Sequence, residues 1–587
     1  MPRSRKQPPP AMAASPKEYA SLNIRVTCLR VILSLIVVVL FGRCAFLLVV
    51  QAPELRDRVE YQQSSGVEVL LPRRGQILDR NGKVLAQSVE ASRIDVRPAA
   101  IPLERQEEVA TFLAEVSGTP TLATALLEKI RGSLVPFPFL RQTDMAIGEK
   151  VQQANLPGVD VFSSQKRVYP FGPLAAQLLG FVHPDFGNDQ REELFGLEGL
   201  ERSYEEHLHG KSGNAVYSLG PTGERLPVDP VEYTPATNGD DIVLTIDSVV
   251  QNVTEDALER AAQENQATSG SAIVLDARNG EVLAMASYPD FDPNEWTVAS
   301  PTQYKNNATQ FVYEPGSVFK FVVAAAALEE GAITPSTVIS DDGPIEVSGW
   351  TFACPSEFGG PHGEQDLYNL FKNSCNVGFI QVGQLLGEER LRRYADLFGI
   401  GRPCALGIPQ AEGQLPPIED WYDVLLATAS FGYGFYCTPL QITGAFQAVA
   451  NDGRYVPPHL VKEIRDDGGK VVYSGESTST RQVISQKTAI QLREALKGVV
   501  EAKVPDSLKP YGVVGKTGTA VVYREGEATT LNNTTFVGAF PADSPRIVIM
   551  VNVNEPQVEF AYAVRVCVPI FMEIANKIVD ILRLPPP

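Results

Sequence analysis

The fold is decided by the stretch Glu314-Pro315-Gly316-Ser317-Val318-Phe319-Lys320, which continues as an apolar run to Leu328. A Pro-Gly pair suits the entry to a helix, and Gly331 suits its end. Residues 321–328 are apolar on every side, so we expect a helix that is buried all round. A chain of 587 residues has room for roughly two to four domains, and this helix belongs in the core of one of them.

A serine and a lysine lie at the start of this helix. Ser317 and Lys320 are three residues apart, so they share one helix face. A serine hydroxyl needs an adjacent base to act as a nucleophile, and a lysine amine on a buried helix can lose its charge and serve as that base. The serine N–H at a helix start is also placed to bind an oxyanion. The spacing alone is weak evidence for a catalytic pair, since serines and lysines three residues apart are common on solvent-exposed helices.

Two further motifs give this pair a context. Ser374-Cys375-Asn376 and Lys516-Thr517-Gly518-Thr519 follow along the chain. The order Ser-x-x-Lys, Ser-x-Asn, Lys-Thr-Gly is the signature of penicillin-binding proteins and serine β-lactamases. The chain therefore resembles a penicillin-binding protein over residues 25–582. A β-lactamase fits less well, because it lacks a membrane anchor and the long N-terminal region found here.

The N-terminal region points to class B of that family. Residues 73–86, 166–172 and 196–201 resemble boxes of the class B pedestal, from which we expect packing and interdomain salt bridges. The pair Asn81-Gly82 predicts a β-hairpin within the first box. Residues 102–155 have the pattern of amphipathic helices, which we interpret as a small insertion in the pedestal.

The first fifty residues predict a membrane anchor. Residues 1–30 carry six basic side chains and one acid, and residues 31–50 are mostly apolar and long enough to span a bilayer. The basic tail places the N-terminus in the cytoplasm and the rest of the chain in the periplasm. A cleaved signal peptide is the alternative, but no small-x-small cleavage site follows the apolar run. We therefore predict a single-pass protein of the bacterial inner membrane.

The C-terminal region predicts an α+β fold, because strand patterns at both of its ends enclose a helical middle. Predicted strands and a closing helix cover residues 271–275, 281–287, 513–522, 535–539, 546–553 and 563–582. The resemblance implies a transpeptidase domain with a five-stranded antiparallel sheet flanked by helices, a β-rich, dimerisation-like pedestal and one transmembrane helix. The predicted boundaries are 1–28 for the cytoplasmic tail, 29–50 for the anchor, 51–235 for the pedestal and 236–583 for the transpeptidase domain.

The resemblance also implies an acyl transfer on a serine. Ser317 is the expected nucleophile and Lys320 its base. Ser374 is expected to pass a proton to the leaving nitrogen, and Asn376 to hold the substrate backbone. The oxyanion is expected at the N–H groups of Ser317 and Thr519.

The third motif is expected to bind the substrate. Lys516 is the fifth catalytic residue, and its charge attracts a free C-terminal carboxylate. The hydroxyls of Thr517 and Thr519 are expected to bind that carboxylate, and Gly518 to allow close approach of the substrate. No metal or organic cofactor is implied for this reaction.

The implied substrates are peptidoglycan stem peptides ending in D-Ala-D-Ala, and β-lactams that mimic them. The implied partners are a membrane-embedded glycan polymerase of the FtsW/RodA type and other division proteins. The net charge of −19 argues against nucleic acid as a partner. Residues 40–43 and the chain length resemble the cell-division, FtsI, type more than the elongation type. A carboxypeptidase, or a scaffold that mainly activates the polymerase, stays open.

A cysteine pair near the second motif has three possible states. Cys354 and Cys375 could form a disulfide, which an oxidising periplasm favours. They could instead bind zinc together with His362 and either Asp341 or Asp342, or remain free thiols. In each case we expect Cys375 to face away from the nucleophile and to hold its neighbours in place.

Overall fold

The computed structural model describes residues 16–49, 65–186, 192–218, 230, 232–355, 359–404, 406–475, 479–524 and 526–586. The chain forms two compact units, one made of residues 1–70 and 212–236 and the other of residues 71–211 and 237–587. All three sequence motifs lie in the larger unit.

The described residues of the smaller unit form a long helix and a small sheet. The helix, Pro16–Val49, has 34 residues and includes residues 29–49 of the predicted anchor, whereas residue 50 lies outside the described residues. The sheet is antiparallel, with the strand order Ser65–Leu70, Gly213–Ser218 and Glu232–Thr234. Within the part of the chain that the structure describes, no helix combines the length and the apolar character that a membrane crossing requires.

A seven-stranded sheet lies at the centre of the N-terminal part of the larger unit. Its strands are Val471–Ser474, Val461–Arg465, Asp241–Leu244, Ile77–Leu78, Val84–Val96 and Phe137–Thr143 in spatial order, with Val159–Val168 paired to Val84–Val96. The predicted hairpin at Asn81-Gly82 is confirmed, because the strands on either side pair antiparallel and Gly82 has a φ of +83°. Strands from both sides of residue 236 therefore share one sheet.

The predicted helical insertion is present between residues 102 and 155. It consists of the helices Gln106–Val116, Ala123–Gly132 and Met145–Ala154. Their apolar faces pack with the strand Val84–Val96 in a small core that includes Ile94, Val109 and Leu126. The amphipathic pattern therefore predicted both the helices and the faces that they bury.

Buried ion pairs join the three pedestal boxes. Glu201 is fully buried and accepts hydrogen bonds from Arg74 Nε and Arg167 Nε, each at 2.7 Å. Burial alone would raise the pKa of Glu201, but the two guanidinium groups outweigh it and hold that pKa below its usual range. Arg80 reaches across the predicted boundary to Glu281 at 3.0 Å. The predicted salt bridges within and beyond the pedestal boxes are thus confirmed.

The predicted five-stranded antiparallel sheet is also confirmed. Its spatial order is Val282–Tyr288, Ser269–Asp276, Ile547–Asn554, Glu527–Phe540 and Val514–Arg524. The strand Ile547–Asn554 separates two cores, because its alternate side chains point to opposite faces. Ile549 packs with the helices Ser248–Glu264 and Ala563–Ile581, whereas Met550 packs with the core around Phe321.

The remaining elements of the larger unit are short or form the helical middle. The other helices are Ala176–Leu179, Gly199–Ser203, Glu205–Leu208, Pro301–Tyr304, Asn307–Gln310, Lys320–Glu329, Leu367–Lys372, Asn376–Leu386, Glu388–Leu397, Asp423–Ala429, Pro439–Ala450 and Gln486–Lys497. The other strands are Val182–Phe186, Glu192–Gly196, Ile339–Asp341, Ile345–Val347, Trp350–Phe352, Gly363–Gln365, Arg454–Tyr455 and Arg481–Gln482. The helix Lys320–Glu329 lies inside this region and, as predicted, is buried on all sides as far as Leu328.

Candidate active site

Ser317 lies in a short 3-10 turn, Gly316–Phe319, that leads directly into the helix Lys320–Glu329. Gly316 has a φ of +57°, and its N–H donates to the carbonyl oxygen of Gly432 at 3.0 Å. Gly432 is pressed against the same turn, since a Cβ atom there would lie 1.9 Å from the Gly316 oxygen. The half-buried serine is therefore carried by a turn that backbone contacts hold in place.

Lys320 is fully buried one turn after the serine. Its Nζ donates to the carbonyl oxygen of Ser374 at 2.6 Å and to Oδ1 of Asn376 at 2.7 Å. Burial lowers the pKa of Lys320 to about 7, because the charged amine loses its hydration inside the core. A substantial fraction of this amine is therefore neutral near pH 7 and able to accept a proton.

Ser374 is the point where the motifs meet. Its φ of +49° is unusual for a residue other than glycine. Its Oγ accepts hydrogen bonds from Lys516 Nζ at 2.9 Å and from Lys320 Nζ at 3.3 Å. Burial, together with the nearby Lys320, lowers the pKa of Lys516 well below its usual range. The structure thus brings four predicted catalytic residues, Lys320, Ser374, Asn376 and Lys516, into one hydrogen-bonded group.

The third motif lies on Val514–Arg524, the edge strand of the five-stranded sheet. Thr517 and Thr519 share its half-buried face, whereas Lys516 and Gly518 point into the buried side. The oxygen of Thr519 accepts a hydrogen bond from the Ala563 N–H at 3.2 Å, which leaves the hydroxyl proton available to a ligand.

Gly518 is needed for a contact within the protein. A Cβ atom at this position would lie 2.6 Å from Cγ2 of Val318 and 3.0 Å from the carbonyl oxygen of Pro315. The strand therefore packs directly against the turn that carries Ser317. From the sequence we expected a close approach of the substrate to Gly518. The contact between Gly518 and Val318 could not be predicted, because the two residues are 200 positions apart in the sequence.

Comparisons with known proteins agree with this geometry. The family model for the penicillin binding protein transpeptidase domain matches residues 270–576, and that for the penicillin-binding protein dimerisation domain matches residues 69–244. The chain is 34% identical to stage V sporulation protein D of Bacillus subtilis over 511 residues, which are 85% of this chain and 77% of that protein. The chain is a class B penicillin-binding protein.

Two further comparisons cover most of this class B penicillin-binding protein. It is 27% identical over 558 residues to the peptidoglycan D,D-transpeptidase FtsI of Escherichia coli, with 93% of this chain and 90% of FtsI covered. The crystal structure of penicillin-binding protein 3 from Mycobacterium tuberculosis, complexed with aztreonam, matches it with a TM-score of 0.67 and 28% identity. That match covers 89% of this chain and 98% of the solved chain.

Sequence reasoning missed a loop of this class B penicillin-binding protein that borders the turn. Besides Gly432, the loop contributes Tyr433, whose hydroxyl accepts the Val521 N–H at 3.3 Å, and Gly434, whose N–H donates to Glu314 Oε1 at 2.8 Å. The loop therefore contacts both the turn of Ser317 and the strand of Lys516. The signal was the sequence Gly432-Tyr433-Gly434, in which both glycines have positive φ.

The cysteine pair beside the second motif is close together but unbonded. The sulfur atoms of Cys354 and Cys375 are 3.5 Å apart, and both residues are free cysteines. Cys375 is buried with its sulfur 3.3 Å from Oδ2 of Asp341, whereas its neighbours Ser374 and Asn376 contact Lys320. The prediction that Cys375 faces away from the reacting residues is therefore confirmed.

Proposed function

We propose that this class B penicillin-binding protein joins peptidoglycan stem peptides through an acyl-enzyme on Ser317. The observation that carries the proposal is the position of Lys320. A buried amine with a pKa near 7 lies one helical turn after a half-buried serine and contacts two residues of the second motif. An amine in that state is suited to accept a serine proton.

In the first half-reaction Ser317 Oγ attacks the carbonyl carbon of the penultimate D-Ala residue. Lys320 Nζ takes the hydroxyl proton, and the backbone N–H groups of Ser317 and Thr519 stabilise the oxyanion. The bond from that carbon to the terminal D-Ala nitrogen then breaks. Ser374, which contacts both lysines, delivers the proton that the leaving nitrogen needs.

Substrate orientation is assigned to the two remaining motifs. Asn376 presents its amide to the substrate backbone, while Thr517 and Thr519 donate to the terminal carboxylate. Lys516 has a depressed pKa in the free enzyme because it is buried beside Lys320. The negative charge of an incoming carboxylate stabilises the protonated amine against burial and against repulsion by Lys320. We therefore expect Lys516 to take up a proton when the substrate binds. A β-lactam presents the same carboxylate and acylates the same serine.

In the second half-reaction an amine from a neighbouring stem peptide attacks the ester, forms the cross-link and releases Ser317. The full-length protein is incubated with a stem pentapeptide ending in D-Ala-D-Ala and an excess of a labelled D-amino acid. We expect the labelled exchange product to exceed the hydrolysed tetrapeptide, and the Ser317→Ala variant to form neither. Hydrolysis without exchange would identify a carboxypeptidase and would overturn the transferase assignment.

We further propose a single-pass anchor and a role in cell division. The anchor is supported by the apolar residues 31–50 and the basic tail before them. The division role, with a membrane-embedded glycan polymerase as partner, is supported by the similarity to FtsI. In this proposal residues 51–235 form the pedestal and residues 236–583 the transpeptidase domain in the periplasm.

One fusion protein tests both proposals in the native host. A fluorescent protein that matures only in the cytoplasm is joined to Met1. We expect a fluorescent band at the division site, and protease added to spheroplasts should remove the large domain while leaving the fluorescent part intact. Protection of the large domain would contradict the topology, and an even signal along the side wall would favour the elongation type.

A further inference from the structure

Four side chains that can each ligate a metal ion converge beside the second motif. They are Asp341, Cys354, His362 and Cys375, and their oxygen, nitrogen and sulfur atoms all lie within 4.8 Å of one another. Asp341 and Cys375 are buried, and the side chain of His362 is only 6% exposed. None of these residues has a role in the proposed acyl transfer.

The separations between these atoms are close to those of a tetrahedral metal site. The two sulfur atoms are 3.5 Å apart, while Asp341 Oδ2 is 3.3 Å from Cys375 Sγ and 2.9 Å from His362 Nδ1. Zinc–ligand bonds of about 2.0–2.3 Å at tetrahedral angles place neighbouring ligand atoms about 3.3–3.8 Å apart. The remaining pairs lie within 4.8 Å, so the four side chains would have to move by at most about 1 Å to place their ligand atoms around a zinc ion.

The donor set also suits zinc chemically. Two thiolates, one imidazole and one carboxylate are all zinc ligands, and four protein ligands close the site against solvent, as in structural zinc sites. A disulfide would need a sulfur–sulfur bond of about 2.05 Å and would leave only Asp341 and His362 as donors. The observed separation is longer than that bond and close to the edge of a zinc tetrahedron.

The ligands come from short segments that are separate in the sequence. Asp341 ends the strand Ile339–Asp341, which pairs with Gly363–Gln365 in a two-stranded sheet. His362 directly precedes that second strand, and Cys354 follows the hairpin strand Trp350–Phe352. A shared metal ion would link these segments to the N-terminus of the helix Asn376–Leu386, where Cys375 lies.

The cluster connects directly to the proposed active site. Cys375 is the N-cap of the helix Asn376–Leu386 and accepts the Gly378 N–H at 3.2 Å. Cys354 Sγ accepts the backbone N–H of Asn376 at 3.1 Å. A metal-bound thiolate would keep both hydrogen bonds and fix their direction.

We propose that Asp341, Cys354, His362 and Cys375 bind one structural zinc ion, which positions Ser374 and Asn376 for catalysis. The metal site stands by itself, whereas its effect on acylation rests on the function proposed above. Cys354 is a positioning residue in this account, since it acts on Asn376 and not on the substrate.

The test begins with the metal content of the full-length protein, purified under nitrogen without reductant and without chelator. We expect one zinc per chain, and cobalt exchanged into the site should give the absorption of a thiolate-ligated tetrahedral ion. Cys354→Ser and His362→Ala should each reduce bound zinc at least tenfold and slow acylation by penicillin by about tenfold. Cys404→Ser is the matched control, because Cys404 lies outside the cluster and should leave both values unchanged.

The proposal can be tested even if a variant does not fold, because the zinc and cobalt measurements are made on the wild-type protein. One contrary result is a protein without metal in which Cys354 and Cys375 are unreactive toward a thiol reagent under denaturing, non-reducing conditions. That result would show a disulfide and would overturn the zinc proposal. Absence of metal with both thiols reactive would overturn it in favour of free cysteines. Ser317→Ala should keep its zinc, so a failure of the acyl-enzyme assignment stays distinct from a failure of the metal site.

Discussion

Replacing Ser317 with alanine should abolish covalent labelling by a fluorescent penicillin. The serine lies on the Gly316–Phe319 turn, one turn before Lys320, and this turn packs against the strand of Lys516. Without its Oγ no ester can form, so we expect the band on a denaturing gel to disappear completely rather than to weaken. Because the side chain is half-buried and small, its removal should leave thermal unfolding nearly unchanged.

The matched control is Ser336→Ala, an exposed serine of the same unit. This variant should label to the same stoichiometry and at the same rate as the wild-type protein. Stoichiometric labelling of Ser317→Ala would show that another residue is the nucleophile. Mass analysis of the labelled wild-type peptide gives an independent check, because the modified fragment should contain Ser317.

Much of the core could be predicted because its signals are local. The all-apolar run predicted the buried helix Lys320–Glu329, and short strand patterns predicted all five strands of the five-stranded sheet. The strand predicted at 535–539 extends over Glu527–Phe540 in the structure. Its first half is polar, so its strand character comes from pairing with Val514–Arg524 and not from an apolar pattern.

The parts of the site that could not be predicted depend on distant backbone contacts. The 3-10 turn at Ser317 is held by Gly432, and Glu314 pairs with Gly434, 120 residues away in sequence. The left-handed backbone conformation of Ser374 could not be predicted either, because serine rarely adopts it. The cysteine cluster was partly predictable, because its members lie within about 35 positions of each other and their residue types suggest shared chemistry.

The pH dependence of acylation should report the state of Lys320. Burial lowers the pKa of this amine to about 7, and only the neutral amine can accept the Ser317 proton. The rate constant of penicillin acylation should therefore rise with pH, level off above that pKa and fall about tenfold per pH unit below it. A rate that stays constant from pH 5.5 to pH 8 would contradict this role for Lys320.

Replacing Lys320 with arginine should remove the base while keeping a cation. A guanidinium group stays protonated throughout the accessible pH range, so it cannot take the serine proton. We expect acylation to slow by about 10²–10⁴-fold, with no recovery at pH 9. Arginine is also larger than lysine, so Lys320→Met serves as a second variant of similar length that has neither charge nor base.

Both variants should lose the pH-dependent step, whereas Lys487→Arg, at an exposed site, should keep the wild-type rate and profile. A Lys320→Met protein that unfolds like the wild type and still acylates at the wild-type rate would move the base to another group. Lys516 would then be the first to test, since it is the other amine in contact with Ser374.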